Sequence, residues 1–155
     1  MLRVDTRNLR QGPVRTEGEI PATDPLFEGL DLSLVGPLRV TGLLEPTARG
    51  GFLWHGQFGG QARSTCRRCL VDLVLSVDES VEALFTADTD LQDDPSVYPL
   101  AEPVTFVDVT GAVREELALA LATFPLCRED CKGLCPTCGD DLNQGPCGCG
   151  GPVSR

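Results

Sequence analysis

The stretch Cys66–Phe85, CRRCLVDLVLSVDESVEALF, decides how the rest of the chain is read. It opens on two thiols separated by two arginines. From Val71 onward apolar residues recur at every second position, at Val71, Leu73, Leu75 and Val77. That is the period of a β-strand with one covered face. Leu70–Phe85 therefore reads as one long strand, entered through a cysteine pair that closes the preceding run like a clasp.

Working upstream, Leu38–Glu45 (LRVTGLLE) alternates in the same way, and PTARGG is a turn. Gly51–His55 and Gln57–Thr65 read as one or two further strands, with Gly56, Gly59 and Gly60 weakening them or marking bulges. Met1–Arg7 and Val14–Glu19 are short candidate strands. Pro21, Pro25 and Gly29 punctuate a loop between them and the meander. Downstream, Thr86–Pro103 reads as a loop with acidic residues at Asp88, Asp90, Asp93, Asp94 and Glu102. Val104–Val107 is a short strand. Asp108 then caps a helix over Val109–Phe124, whose apolar residues at 109, 113, 117, 120, 121 and 124 form a helical stripe. Pro125 stops it. The expected fold is α+β: an antiparallel sheet or meander, one main helix and a C-terminal cysteine-rich zinc module. Residues 1–125 would form the α+β domain, and residues 126–155 a module packed on it.

Six of the eight cysteines fall in the last 29 residues, within PLCREDCKGLCPTCGDDLNQGPCGCGG. Thiolates two apart in a Gly/Pro-rich loop can turn two sulfurs toward one ion, and two such pairs complete a tetrahedral zinc shell. In Cys135-Pro136-Thr137-Cys138-Gly139 the proline stiffens the turn and the glycine permits a positive φ, so that backbone N–H groups face the sulfurs. Cys147 and Cys149 are the nearest second pair. Cys135, Cys138, Cys147 and Cys149 form the first expected site. Cys66, Cys69, Cys127 and Cys131 are left for a second one, stapling the sheet to the end of the helix. Cys127 and Cys131 are four apart, as on one face of a helical turn. Other groupings, such as Cys127 and Cys131 with Cys135 and Cys138, remain open at this point. Disulfides are disfavoured because MLRVDTRNLR has no apolar export segment, so a reducing, cytoplasmic setting is expected. A thioredoxin-like role wants a single CxxC at a helix start, not several in turn-rich segments.

Other chemistries find little support. The one histidine, His55, is far in sequence from the main cluster, and a catalytic zinc would need an open position. There is no HExxH, no phosphate-binding GxxxxGK[ST] and no GxGxxG before a helix. DTDLQDD lacks the ordered pattern of a calcium loop. No apolar run approaches a membrane span.

The net charge is −10, unevenly spread. Residues 1–70 sum to +2 and residues 71–155 to −12. Phosphate backbones repel such a second half, and a basic protein is drawn to it. The acidic strip Asp88, Asp90, Asp93 and Asp94 is a candidate docking site, against the plainer reading of a solvated connection. Arg63, Arg67 and Arg68, around the first cysteine pair, are candidate phosphate contacts. Phe52, Trp54 and Phe58 could stack on bases but read first as core.

The string CRRCL (66–70) after a strand, VREELALAL (113–121) in the helix, and FPLCREDCKGLCPTCGDDLNQGPCGC (124–149) resemble the YceD-like bacterial proteins. The resemblance covers roughly residues 35–149. It implies a cytoplasmic, non-enzymatic accessory protein needed for 23S ribosomal RNA to accumulate, hence for large-subunit biogenesis. Together with the charge split it points to a basic ribosomal protein or rRNA-processing factor as partner, with at most weak direct RNA contact and no small-molecule substrate. A zinc-stabilised interaction adaptor unrelated to ribosomes is the runner-up, and a thiol oxidoreductase the third reading.

Overall fold

In the computed structural model, residues 1–91, 93–121 and 124–149 are described. The fold is a mostly antiparallel β-sheet with one main helix. The strands are β1 (Arg3–Asp5), β2 (Val14–Ile20), β3 (Ser33–Leu34), β4 (Leu38–Pro46), β5 (Phe52–Thr65), β6 (Asp72–Thr86), β7 (Val97–Pro99) and β8 (Phe106–Asp108). The helices are the single turn α1 (Thr6–Leu9) and the longer α2 (Thr110–Ala120). The main sheet runs β2-β4-β5-β6-β7, with β3 beside the outer end of β5; β1 and β8 form a separate ribbon. Only β6 and β7 pair in parallel among the strands of the main sheet.

The alternation seen in the sequence sets the phase of the sheet. Leu38, Val40 and Leu44 on β4, Trp54, Phe58 and Ala62 on β5, and Val77, Val81, Ala83 and Phe85 on β6 are buried on one face. Helix α2 covers that face with Ala112, Val113 and Leu117, and Val4 and Val107 of the small ribbon join the same core. Asp108 accepts the Thr110 N–H and hydroxyl on Oδ1 just ahead of α2, but the helix starts at Thr110 rather than Val109, and Val109, not Asp108, holds the N-cap position.

Several expectations are corrected. Of the one or two strands expected over 51–65 there is one, β5, starting at Phe52, and it pairs one-to-one with β6 without the expected bulges. Its glycines serve packing instead. The Trp54 indole lies over Gly56 and Gly42, where an added Cβ would come within 2.2 and 2.5 Å of the ring. Its Nε1–H donates to Thr16 Oγ1 at 2.9 Å, so a fully buried ring keeps its polar group satisfied.

The long strand starts at Asp72, because Leu70 and Val71 belong to the cysteine turn. Its alternating phase is as expected, but the apolar side fades outward. Val77 is buried, Leu73 and Leu75 are half-buried and Val71 is exposed, since the β5–β6 hairpin projects beyond the core. Met1–Arg7 is not one strand. Asp5 ends β1 and accepts the Arg7 N–H, starting a helical turn. The short strand after the loop is shifted to Phe106–Asp108 by its pairing with β1. The expected loop Thr86–Pro103 carries a 3-10 turn at Thr89–Leu91 and strand β7. Helix α2 ends at Ala120, where Leu121 turns extended; residues 122 and 123 of the expected helix lie outside the described residues. Phe124 is not part of the buried stripe: it is 71% exposed. No helix among the described residues is long and apolar enough to cross a membrane.

Candidate metal centres

The β5–β6 connection is a cysteine knuckle. The Cys66 N–H donates to the Val71 carbonyl, closing the strand pair, and the Leu70 N–H donates to the Cys66 carbonyl at 2.9 Å. Leu70 adopts φ +60°, the left-handed region. The second knuckle repeats this turn. The Gly139 N–H donates to the Cys135 carbonyl at 2.9 Å, and Gly139 has φ +81°. Each turn aims backbone N–H groups at its first sulfur. The Cys69 N–H, foremost, holds the Cys66 thiol down to about 6, and the N–H groups of Cys138 and Thr137 do the same for Cys135.

The chain brings the eight thiols together as two quartets. Cys66 and Cys69 meet Cys127 and Cys131; Cys135 and Cys138 meet Cys147 and Cys149. Within each quartet all four sulfurs lie within 4.8 Å of one another. Cys66 and Cys131 are 3.8 Å apart, Cys69 and Cys127 3.6 Å, and Cys135 and Cys147 3.3 Å. A tetrahedral ion with metal–sulfur bonds of about 2.3 Å sets sulfur–sulfur edges of about 3.8 Å. A disulfide would need about 2.05 Å, and all eight cysteines are free. The donor set and spacing fit a closed four-thiolate ion in each quartet. The grouping of Cys127 and Cys131 with Cys135 and Cys138 does not occur.

The first quartet spans the fold. Arg67 N–H donates to the Pro125 carbonyl, and Leu134 N–H donates to the Arg68 carbonyl. The backbone at Gly133 runs so close that a Cβ there would lie 3.0 Å from the Arg68 oxygen. Cys127 and Cys131 are carried by a bend and a turn closed by Cys131 N–H to the Arg128 carbonyl, not by a helix. Dehydration among the other sulfurs, then hydrogen bonding with Cys131, pushes Cys127 up to about 12. The second quartet is held by Cys135 N–H to the Asp140 carbonyl and Leu142 N–H to the Gly133 carbonyl.

Asn143 links the two, and sequence reasoning passed it over. Its Nδ2 donates to Cys131 Sγ at 3.4 Å and lowers that thiol's pKa. Its Oδ1 accepts from the Lys132 N–H and from Arg128. The available signal was its place in the DDLN string between Cys138 and Cys147.

The arginines divide by role. Arg68 donates to the carbonyls of Glu129 and Cys131, so its guanidinium braces the turn. Arg67 lies over the Phe124 ring at 5.3 Å, and Arg63 is exposed on β5. Trp54 and Phe58 are buried and Phe52 packs against the core, so no base stacks on the first two. His55 pairs with Glu82 across the sheet at 3.2 Å and belongs to neither quartet. Of the acidic strip, Asp88 accepts the Asp90 N–H, and Asp94 accepts both the N–H and hydroxyl of Ser96, which lower its pKa. Asp90 and Asp93 are exposed.

Sheet, helix and two four-thiolate clusters together define an α+β protein clamped through cysteine knuckles. The chain belongs to the YceD family: the family model described as "Large ribosomal RNA subunit accumulation protein YceD" matches residues 54–154. Uncharacterized proteins of Mycobacterium tuberculosis (strain ATCC 25618 / H37Rv) and Mycobacterium bovis are each 27% identical over 128 residues, covering 79% of this chain. The chain spans 61% of the length of those relatives. No solved structure matches.

Proposed function

We propose that this chain acts in the accumulation of 23S ribosomal RNA, and hence in large-subunit biogenesis, without catalysis of its own and through a basic protein partner. The observation that carries the reading is the family match over residues 54–154, a span that contains both cysteine quartets. The charge supports the mode of action. The −12 of residues 71–155 favours a cationic protein over bare phosphate. Zinc in each quartet would add further negative charge, since four thiolates outweigh a divalent ion.

Zinc is the ion that closed, all-thiolate tetrahedra hold in a structural role. It would fix the β5–β6 hairpin against the C-terminal segment and supply folding free energy there. The setting is the cytoplasm.

Depletion of the chain in its own host tests the reading. The ratio of 23S to 16S rRNA should fall, with fewer mature large subunits on sedimentation. An unchanged ratio would remove the ribosomal role and leave an adaptor of other partners.

A further inference from the structure

Strand β6 pairs with β5 along its whole length, but β7 covers its other edge only from Leu84 to Thr86. There the Leu84 N–H donates to the Ser96 carbonyl. Successive residues of an antiparallel strand turn their peptide groups to opposite edges. The peptide groups of Asp72, Val74, Ser76, Asp78, Ser80 and Glu82 therefore face the same way as that of Leu84. None of them has a backbone partner there among the described residues. At the opposite edge of the sheet, on β2, Leu2 packs on Gly18 and the Met1 amine donates to the Glu17 carbonyl.

The open edge has a definite chemistry. β6 carries no Lys or Arg, and Asp72, Asp78, Glu79 and Glu82 along it are exposed. On the core-facing side Leu73 and Leu75 are half-buried. A cavity of about 220 Å³ lies beside Leu75 and Val77, bordered by the end of α2 at Ala120 and Leu121. A strand laid on this edge would place one set of side chains by that cavity and the alternate set among carboxylates.

We propose that the free edge of β6 is a strand-addition site for an extended basic segment of a protein partner, one that alternates Lys or Arg with apolar residues. The inference deepens the protein-mediated reading above and rests on it. A second copy of the chain is the wrong occupant, because two β6 edges would set the same carboxylates against each other.

The test uses the metal-loaded chain and a synthetic peptide of alternating Lys and Val. Its control is the same peptide with alternate backbone nitrogens methylated, which keeps the charge but cannot complete the ladder. Amide exchange read by NMR should show new protection at Val74, Ser76, Asp78 and Ser80 with the first peptide. The methylated peptide should bind roughly tenfold weaker, as loss of one or two hydrogen bonds implies. Ser76→Pro and Ser80→Pro remove outward N–H groups that β5 does not use, so the ladder to β5 and every charge remain. They should weaken the first peptide similarly. Equal binding of both peptides, or protection spread over other acidic surfaces, would overturn the proposal. So would amides on this edge already protected in a self-associated free chain. The 23S measurement is independent: an unchanged ratio on depletion with the peptide seated on β6 would sink the ribosomal reading and leave the edge site standing.

Discussion

Leu70 and Gly139 hold the same place in two knuckles of the same shape, one with a side chain and one without. A non-glycine residue in the left-handed region carries a cost of about 1–2 kcal/mol. Leu70 is 62% exposed, so its side chain returns little through burial. Leu70→Gly should raise stability by about 0.5 kcal/mol once the greater freedom of the unfolded chain is subtracted. Gly139→Ala should lower it by about 1 kcal/mol, although its Cβ would meet open space. Thermal unfolding of the metal-loaded variants checks both signs. Trp54 gives the sharper contrast. Gly56→Ala would force a Cβ to within 2.2 Å of the ring and should cost about 2–3 kcal/mol. Thr16→Val, which strands the buried Nε1–H, should cost about 1–3 kcal/mol, measured by denaturant titration. The sequence marks Gly56 as a weak point in a strand. It does not reveal that the indole two residues away fills the missing volume, because the ring's place over Gly56 is set by Gly42 on β4 and by Thr16 on β2.

The first quartet ties elements that are distant along the chain, so its loss should be felt on both sides. Cys66→Ser should remove one ion and raise the alkylation rates of Cys69, Cys127 and Cys131, leaving those of Cys135, Cys138, Cys147 and Cys149 unchanged. Equal protection of Cys127 and Cys131 in wild type and variant would mean that they do not share an ion with Cys66. Arg68→Ala, which frees two carbonyls of the turn at Glu129 and Cys131, should cost roughly 1 kcal/mol at this exposed position. An RNA test is therefore cleaner with Arg63 and Arg67. The acidic loop divides in the same manner. Asp88 and Asp94 close local turns, so Asp90→Asn with Asp93→Asn is the charge change that leaves the turns intact. Spacing made the quartet of Cys135, Cys138, Cys147 and Cys149 legible in the sequence, since its pairs are local, whereas Cys66, Cys69, Cys127 and Cys131 were grouped only as the cysteines left over, because the fold brings distant segments together there. The strand phase was legible as well. Strand β7 was not: it is three residues long and exists by virtue of its pairing with β6. The strands near residues 1–7 and 104–107 were legible, but not that β1 and β8 pair with each other as a ribbon, since those partners are far apart along the chain.

At the scale of the molecule, the metal-free fold should show a marked pH dependence. In it Cys66 and Cys135 titrate at about 6, against 9.0 for an ordinary thiol. Their contribution to stability is complete above 9.0 and is lost as pH falls through about 6. Cys127 is pushed up to about 12, and the unfolded chain is stabilised against it as pH rises above 9.0. Chelator-treated, reduced protein should therefore gain stability from pH 6 toward 9 and lose it again above that. A flat melting temperature over that range would show that these thiols do not keep their places without metal. Metal content is the measurement that reaches the central claim most directly, and native mass spectrometry of protein purified without chelators supplies it. Two zinc ions per chain are expected, one per quartet, with one ion remaining in Cys66→Ser and one in Cys138→Ser. A wild-type chain without metal and with oxidised cysteine pairs, or a single substitution that removes both ions at once, would contradict two separate four-thiolate centres.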